Sequence, residues 1–156
     1  MKKTFKFVML FLSLLLVPVF YSCDDDDDND FREEVISYEK LPSAAKSFVS
    51  EFYSGVDVKR VEKDYDHGVV LFEVKLSNGH EITFNSSGEW VEVDAPDRQS
   101  IPSGIAPLPI ESYLNDNYQD YGINDITKTG YGYEVELTTG VDLRFDANGN
   151  FLGIDR

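Results

Sequence analysis

Among its 156 residues the chain has one cysteine, Cys23, two histidines, two methionines and one tryptophan, Trp90. A single cysteine excludes any intrachain disulfide. The histidines, His67 and His80, each adjoin a glycine, and both read as solvated turn residues. No HExxH, CxxC, GxSxG or P-loop pattern occurs, so zinc, dithiol, serine-nucleophile and nucleotide chemistry all lack their signatures. Positive charge is scarce. Lys and Arg number 14 against 29 Asp and Glu, a formal charge of −15. Nucleic-acid backbones and anionic lipid surfaces need clustered cations and are excluded as partners recognised by charge. Long apolar runs are missing too. The longest, Phe7 to Val17, falls short of the roughly 20 residues that span a bilayer.

That short run has its own meaning. Lys2, Lys3 and Lys6 precede it and Ser22 stands just before Cys23, so residues 1–22 read as a signal peptide. The segment resembles a bacterial lipoprotein signal with Cys23 lipidated, although Phe20 departs from the usual aliphatic residue. Two or more acyl chains anchor stably, each buried methylene contributing about 0.8 kcal/mol. Loss of the three lysines takes the net charge from −15 to −18. Asp24 to Asp28, then Asn29 and Asp30, form a self-repelling run, so residues 23–40 are expected to be lipidated cysteine plus tether. The run resembles the acidic export tag of Bacteroidetes surface lipoproteins. The location implied is the cell envelope, at the outer membrane or surface of a Gram-negative bacterium.

The folded part repeats itself. Phe72-Glu73-Val74-Lys75-Leu76, a Gly79 turn, Ile82-Thr83-Phe84 and a Gly88 turn recur as Tyr133-Glu134-Val135-Glu136-Leu137, Gly140, Leu143-Arg144-Phe145 and Gly149. Repeat one is assigned to 41–95, a linker to 96–107 and repeat two to 108–156. Leu41, Ala45, Phe48, Val49 and Phe52 mark the buried face of a first helix; Ile110, Tyr113, Leu114 and Tyr118 mark that of a second. Leu41-Pro42 and Leu108-Pro109 appear as matching helix starts, and a first strand is expected over Val56 to Asp64. The fold expected is α+β: a tandem repeat of one helix plus three to four antiparallel strands, giving one mostly antiparallel sheet of seven or eight strands with both helices on one face.

Period-two alternation puts Val91, Val93, Leu152 and Ile154 toward the helices. Trp90 and Phe151 then point to the open face with Glu73, Lys75, Thr83, Glu134, Glu136 and Arg144, making these the candidate binding residues. An exposed tryptophan suits a partner hot spot. The competing reading makes Trp90 a local packing anchor covered by the linker from Pro96 to Pro102. Asp146, Asn148 and Asn150 resemble the start of a calcium loop, but the distal glutamate would lie beyond Arg156. No cofactor is expected, and calcium is the one metal with even weak ligand candidates.

The pattern [Phe/Tyr]-Glu-Val-x-Leu…Gly…[Ile/Leu]-x-Phe-[Asn/Asp]-x-x-Gly, preceded by a helix, resembles the PepSY-like family of Bacteroides-type secreted proteins over residues 41 to 155. That family is similar in fold to the beta-lactamase inhibitor protein. The resemblance implies a non-enzymatic protein-binding module, with a secreted hydrolase among the conceivable targets. The alternative is a periplasmic or surface domain binding calcium or a small ligand. A paired-carboxylate hydrolase is a third possibility by residue type alone, since no cleft is signalled.

Overall fold

The computed structural model describes residues 32–66 and 68–155. The expected signal peptide, Cys23, the aspartate run and His67 lie outside the described residues. The fold is α+β, one open nine-stranded antiparallel sheet with two helices. The strands are β1 (Arg32–Ile36), β2 (Val58–Asp66), β3 (Val69–Leu76), β4 (Glu81–Asn85), β5 (Trp90–Asp94), β6 (Ile123–Lys128), β7 (Gly132–Leu137), β8 (Asp142–Asp146) and β9 (Phe151–Asp155). Their order across the sheet is their order in the chain. Helix α1 (Ser43–Phe52) lies between β1 and β2, and α2 (Leu108–Asn117) between β5 and β6.

One apolar row crosses all nine strands. Ile36, Val61, Val74, Ile82, Val93, Ile126, Val135, Leu143 and Ile154 pair in succession. The first eight are buried; Ile154, on the edge strand, is 51% exposed. Aromatic contacts join helix to strand. Phe48 of α1 meets Phe84 edge-on at 5.5 Å and 80°, and Tyr113 of α2 meets Phe145 at the same distance and angle. Linker residues Ile101, Ile105 and Ala106 complete the core.

Proline sets both helix starts. Pro42 and Pro107 occupy the N-cap positions with nearly equal backbone angles, φ −52° ψ 146° and φ −53° ψ 139°. The helices therefore match through Pro42 and Pro107. The expected match of Leu41-Pro42 to Leu108-Pro109 is two residues out of step, because Pro109 lies inside the first turn, where its missing N–H costs nothing. Glycine allows the turns beneath to close. Gly88 has φ +82°, and a Cβ there would sit 2.7 Å from Pro42 Cβ. Gly149, φ +80°, would meet Pro109 Cβ at 2.9 Å.

The structure differs from the sequence reading in two elements. Residues 32–36, assigned to the tether, form edge strand β1 on β2. Their charges disguised them: REEVI has no alternation to signal a strand, and only Ile36 reaches the core. Strand β2 begins and ends two residues later than expected, so Tyr65 and Asp66 belong to the strand and not to a turn.

Candidate functional site

On the face opposite the apolar row, the same register lines up polar side chains. One row runs Val35, Glu62, Glu73, Thr83, Glu92, Thr127, Glu134, Arg144, Gly153 from β1 to β9. The next runs Arg60, Lys75, Glu81, Asp94, Asp125, Glu136, Asp142, Asp155 from β2 to β9. Six consecutive strands thus contribute a carboxylate to the second row. Directly opposed like charges repel across a strand pair. Charges concentrate by sign along the face. The cations Arg60 and Lys75 sit at the β2–β3 end, where Arg60 Nη2 lies 2.5 Å from Glu62 and Lys75 Nζ lies 3.4 Å from Glu62 and 3.1 Å from Glu73.

The centre of the face holds the most perturbed acids. Burial raises the Asp125 pKa to about 8, with the charges of Glu92 and Asp94 adding and a hydrogen bond from Thr127 opposing. Glu92 is raised to about 7 by burial and by Asp94, Glu73 and Glu81. Asp94 is raised to about 6 by burial and by Glu136 and Asp97. Desolvation and like charge act together, so each ionisation makes the next costlier. The arrangement attracts cations.

A surface loop closes one end of this face. Asn124 occupies a bulge between Ile123 and Asp125. Its buried Nδ2 donates to the carbonyls of Ala95, Pro96 and Gln99 at 3.1, 3.0 and 2.8 Å. The loop so held carries Arg98 at φ +64°, a left-handed conformation unusual outside glycine.

Of the expected binding residues, Glu73, Thr83, Glu134 and Arg144 share the first polar row, and Lys75 and Glu136 the second. Glu134 also accepts a hydrogen bond from Tyr131. Trp90 and Phe151 lie on the other face. Phe84 pairs with Trp90 while Thr83 pairs with Glu92, so Val91 is an extra residue in a β-bulge. Phe145 pairs with Phe151 while Arg144 pairs with Gly153, so Leu152 is the extra residue in β9. A bulge breaks period two, and each aromatic turns to the core side. Trp90 packs 6.4 Å from Tyr133 with Lys128 Nζ 4.0 Å above its ring. Phe151 stacks on Tyr113 at 4.6 Å and 13°. Trp90 packs against the core, and Leu152 is exposed where burial was expected.

The remaining candidates have local duties. Asp146 Oδ1 accepts from the backbone N–H groups of Asn148 and Asn150, and Oδ2 from Asn150 Nδ2. Asn85 Oδ1 similarly accepts from the N–H groups of Ser87 and Glu89. Both are self-capped hairpin turns. Among the described residues, no three His, Cys, Asp or Glu side chains converge as a metal site. His80 is buried, contrary to its expected solvation, with Nδ1 3.2 Å from the Tyr53 hydroxyl. Sequence reasoning missed Glu81, Glu92, Asp94, Asp125 and Asp142. All five sit at alternate strand positions, a signal that becomes visible once the bulges fix which parity faces outward.

No curated protein matches this chain. Several solved structures do. A proposed periplasmic protein of unknown function from Bacteroides vulgatus is 32% identical over 80% of this chain and 100% of its own, TM-score 0.75. A Bacteroides thetaiotaomicron periplasmic protein, whose name proposes regulation by calcium, is 30% identical over 80% of this chain and 97% of its own, TM-score 0.75. A proposed periplasmic protein of the DUF2874 family from Bacteroides vulgatus is 26% identical over 84% of this chain and 100% of its own, TM-score 0.75. The profile of the beta-lactamase-inhibitor-like, PepSY-like family matches residues 70–153, from β3 through most of β9. With more than half its length matched and relatives of this identity covered nearly end to end, the chain belongs to the PepSY-like family.

Proposed function

We propose that this chain is a non-enzymatic binding module of the cell envelope whose acidic sheet face recognises a basic surface on another protein. The observation that carries the reading is the second polar row, in which Glu81, Asp94, Asp125, Glu136, Asp142 and Asp155 follow one another across six strands. Such a row concentrates negative potential, steers cationic partners and rejects anionic ones. The inhibitor-like description of the family supports a secreted hydrolase as the target. The proposed periplasmic location of the three relatives supports an envelope location, and the sequence around Cys23 supports a lipid anchor there.

The equal Phe48–Phe84 and Tyr113–Phe145 contacts support two copies of one unit with both helices on the apolar side. That arrangement leaves the acidic side for a partner.

The test is affinity capture from envelope and secreted fractions on the full chain and on an Asp94→Lys/Asp125→Lys variant checked for folding by circular dichroism. A basic protein held by the parent, lost by the variant and released by salt is the expected result. Capture indifferent to both changes overturns the reading.

Calcium is the second reading, favoured by the name of the Bacteroides thetaiotaomicron relative. The described side chains form no cage, so a cation would be held along the carboxylate row by charge. Millimolar calcium should then raise the melting temperature more than equal magnesium does. An unchanged melting temperature removes this reading.

A further inference from the structure

Beside the acidic face lies a cavity of ≈300 Å³ lined by Asp97, Arg98, Asn124, Glu136, Thr138 and Thr139, among others. We propose that it is a subsite for a basic residue bearing a free carboxylate, the C-terminal lysine or arginine of the partner, with Arg98 taking the carboxylate and Asp97 and Glu136 facing the side-chain cation. This rests on the acidic-face reading above.

The cavity wall is built, not loose. Asn124 is displaced from the β6–β7 ladder by the bulge, and its amide ties three carbonyls of the 95–99 segment together. Gln99 N–H also bonds the Pro96 carbonyl at 2.9 Å. Between those ties Arg98 is held at φ +64°. A non-glycine residue stays there only where its surroundings over-determine the backbone. The backbone that carries Arg98 is thereby fixed, and its exposed side chain stands at the edge of an otherwise acidic region.

Charge selects the ligand class. A simple anion meets Asp97 and Glu136, with Asp94 and Asp125 close behind. A simple cation meets Arg98. A group carrying both charges satisfies both, and the planar guanidinium binds carboxylate in two parallel hydrogen bonds. The Thr138 and Thr139 hydroxyls add donors and acceptors along the wall.

The experiment titrates the full chain by NMR with L-arginine, L-argininamide and L-citrulline, following the amide signals of Arg98, Thr138 and Thr139. Saturable shifts are expected with L-arginine below about 20 mM, a range set by a weak single-residue contact. Removal of the carboxylate in argininamide or of the cation in citrulline should weaken binding at least about fivefold. Arg98→Met should bring L-arginine to the argininamide level, and Asp97→Asn to the citrulline level. No saturable shift, or equal shifts with all three compounds, overturns the subsite. The same variants in the capture experiment separate the two proposals. A basic partner still captured by a chain that ignores L-arginine leaves the acidic face standing without the subsite. Arginine binding with no captured partner leaves the subsite standing alone.

Discussion

Asp94 and Asp125 stand directly opposite each other across the β5–β6 pair, two carboxylates at one register position in the middle of the sheet. Only three residue pairs join these strands, so the junction between the halves carries its own repulsion. Burial and the charges of Glu136 and Asp97 raise Asp94 to about 6, and burial with the charges of Glu92 and Asp94 raises Asp125 to about 8.

The sign of the pH effect follows directly. Each of these carboxyls holds its proton more tightly folded than unfolded. Their stabilising contribution is present below about pH 4, the ordinary carboxylate range, and is lost as pH rises through 6 to 8. Asp125→Asn should therefore be more stable than the parent at pH 8, by on the order of 1–2 kcal/mol, with the gain vanishing near pH 4. Urea unfolding of both proteins across that range checks it; a gain independent of pH would contradict the assignment.

The turn glycines give a second prediction. Gly88→Ala and Gly149→Ala each place a methyl against the proline-led start of a helix while forcing a left-handed backbone. Each should cost about 2 kcal/mol. Gly55→Ala, also left-handed but with nothing within 4 Å, should cost about 1 kcal/mol. Thermal denaturation of the three variants separates strain from collision.

Trp90 supplies a third. With its ring against Tyr133 and Lys128 on the core side, Trp90→Ala should cost about 3 kcal/mol of stability. Capture of a partner by the acidic face should not change. A stable variant that loses the partner would return Trp90 to a binding role.

His80 gives a fourth. Burial pushes its pKa below 6.5, so the neutral ring beside Tyr53 is the folded form. That contribution is present above the ordinary histidine value and is lost as pH falls through the depressed one. The His80 ring signals should titrate below pH 6.5, and Tyr53→Phe should cost about 1 kcal/mol. Titration at or above 6.5 would mean that the ring is solvated.

Helix faces were legible in the sequence because their spacing is local: Ala45, Val49, Ile110 and Leu114 all lie in the core. Strand cores were legible for the same reason at Val74, Ile82, Val135 and Leu143. Six of the eight candidate residues lie on the polar face because β3, β4, β7 and β8 keep strict alternation where those residues stand. Trp90 and Phe151 do not, because a bulge is a property of two paired strands and leaves no mark in one of them. Edge strand β1 was invisible for a related reason. Its charged residues make a strand only by borrowing the hydrogen bonds of β2. The central carboxylates escaped notice because their proximity depends on five registers at once.

Strand order that follows chain order also bears on how the molecule assembles. Each strand after β1 pairs with the strand before it, so loop-closure entropy is spent in short steps except where α1 and α2 intervene. Folding should be fast for a sheet of nine strands, since mean contact separation governs rate more than size does. A growing sheet would keep β1 as one edge and its newest strand as the other, and β1 and β5 would each wait, through a helix, for the next strand to arrive.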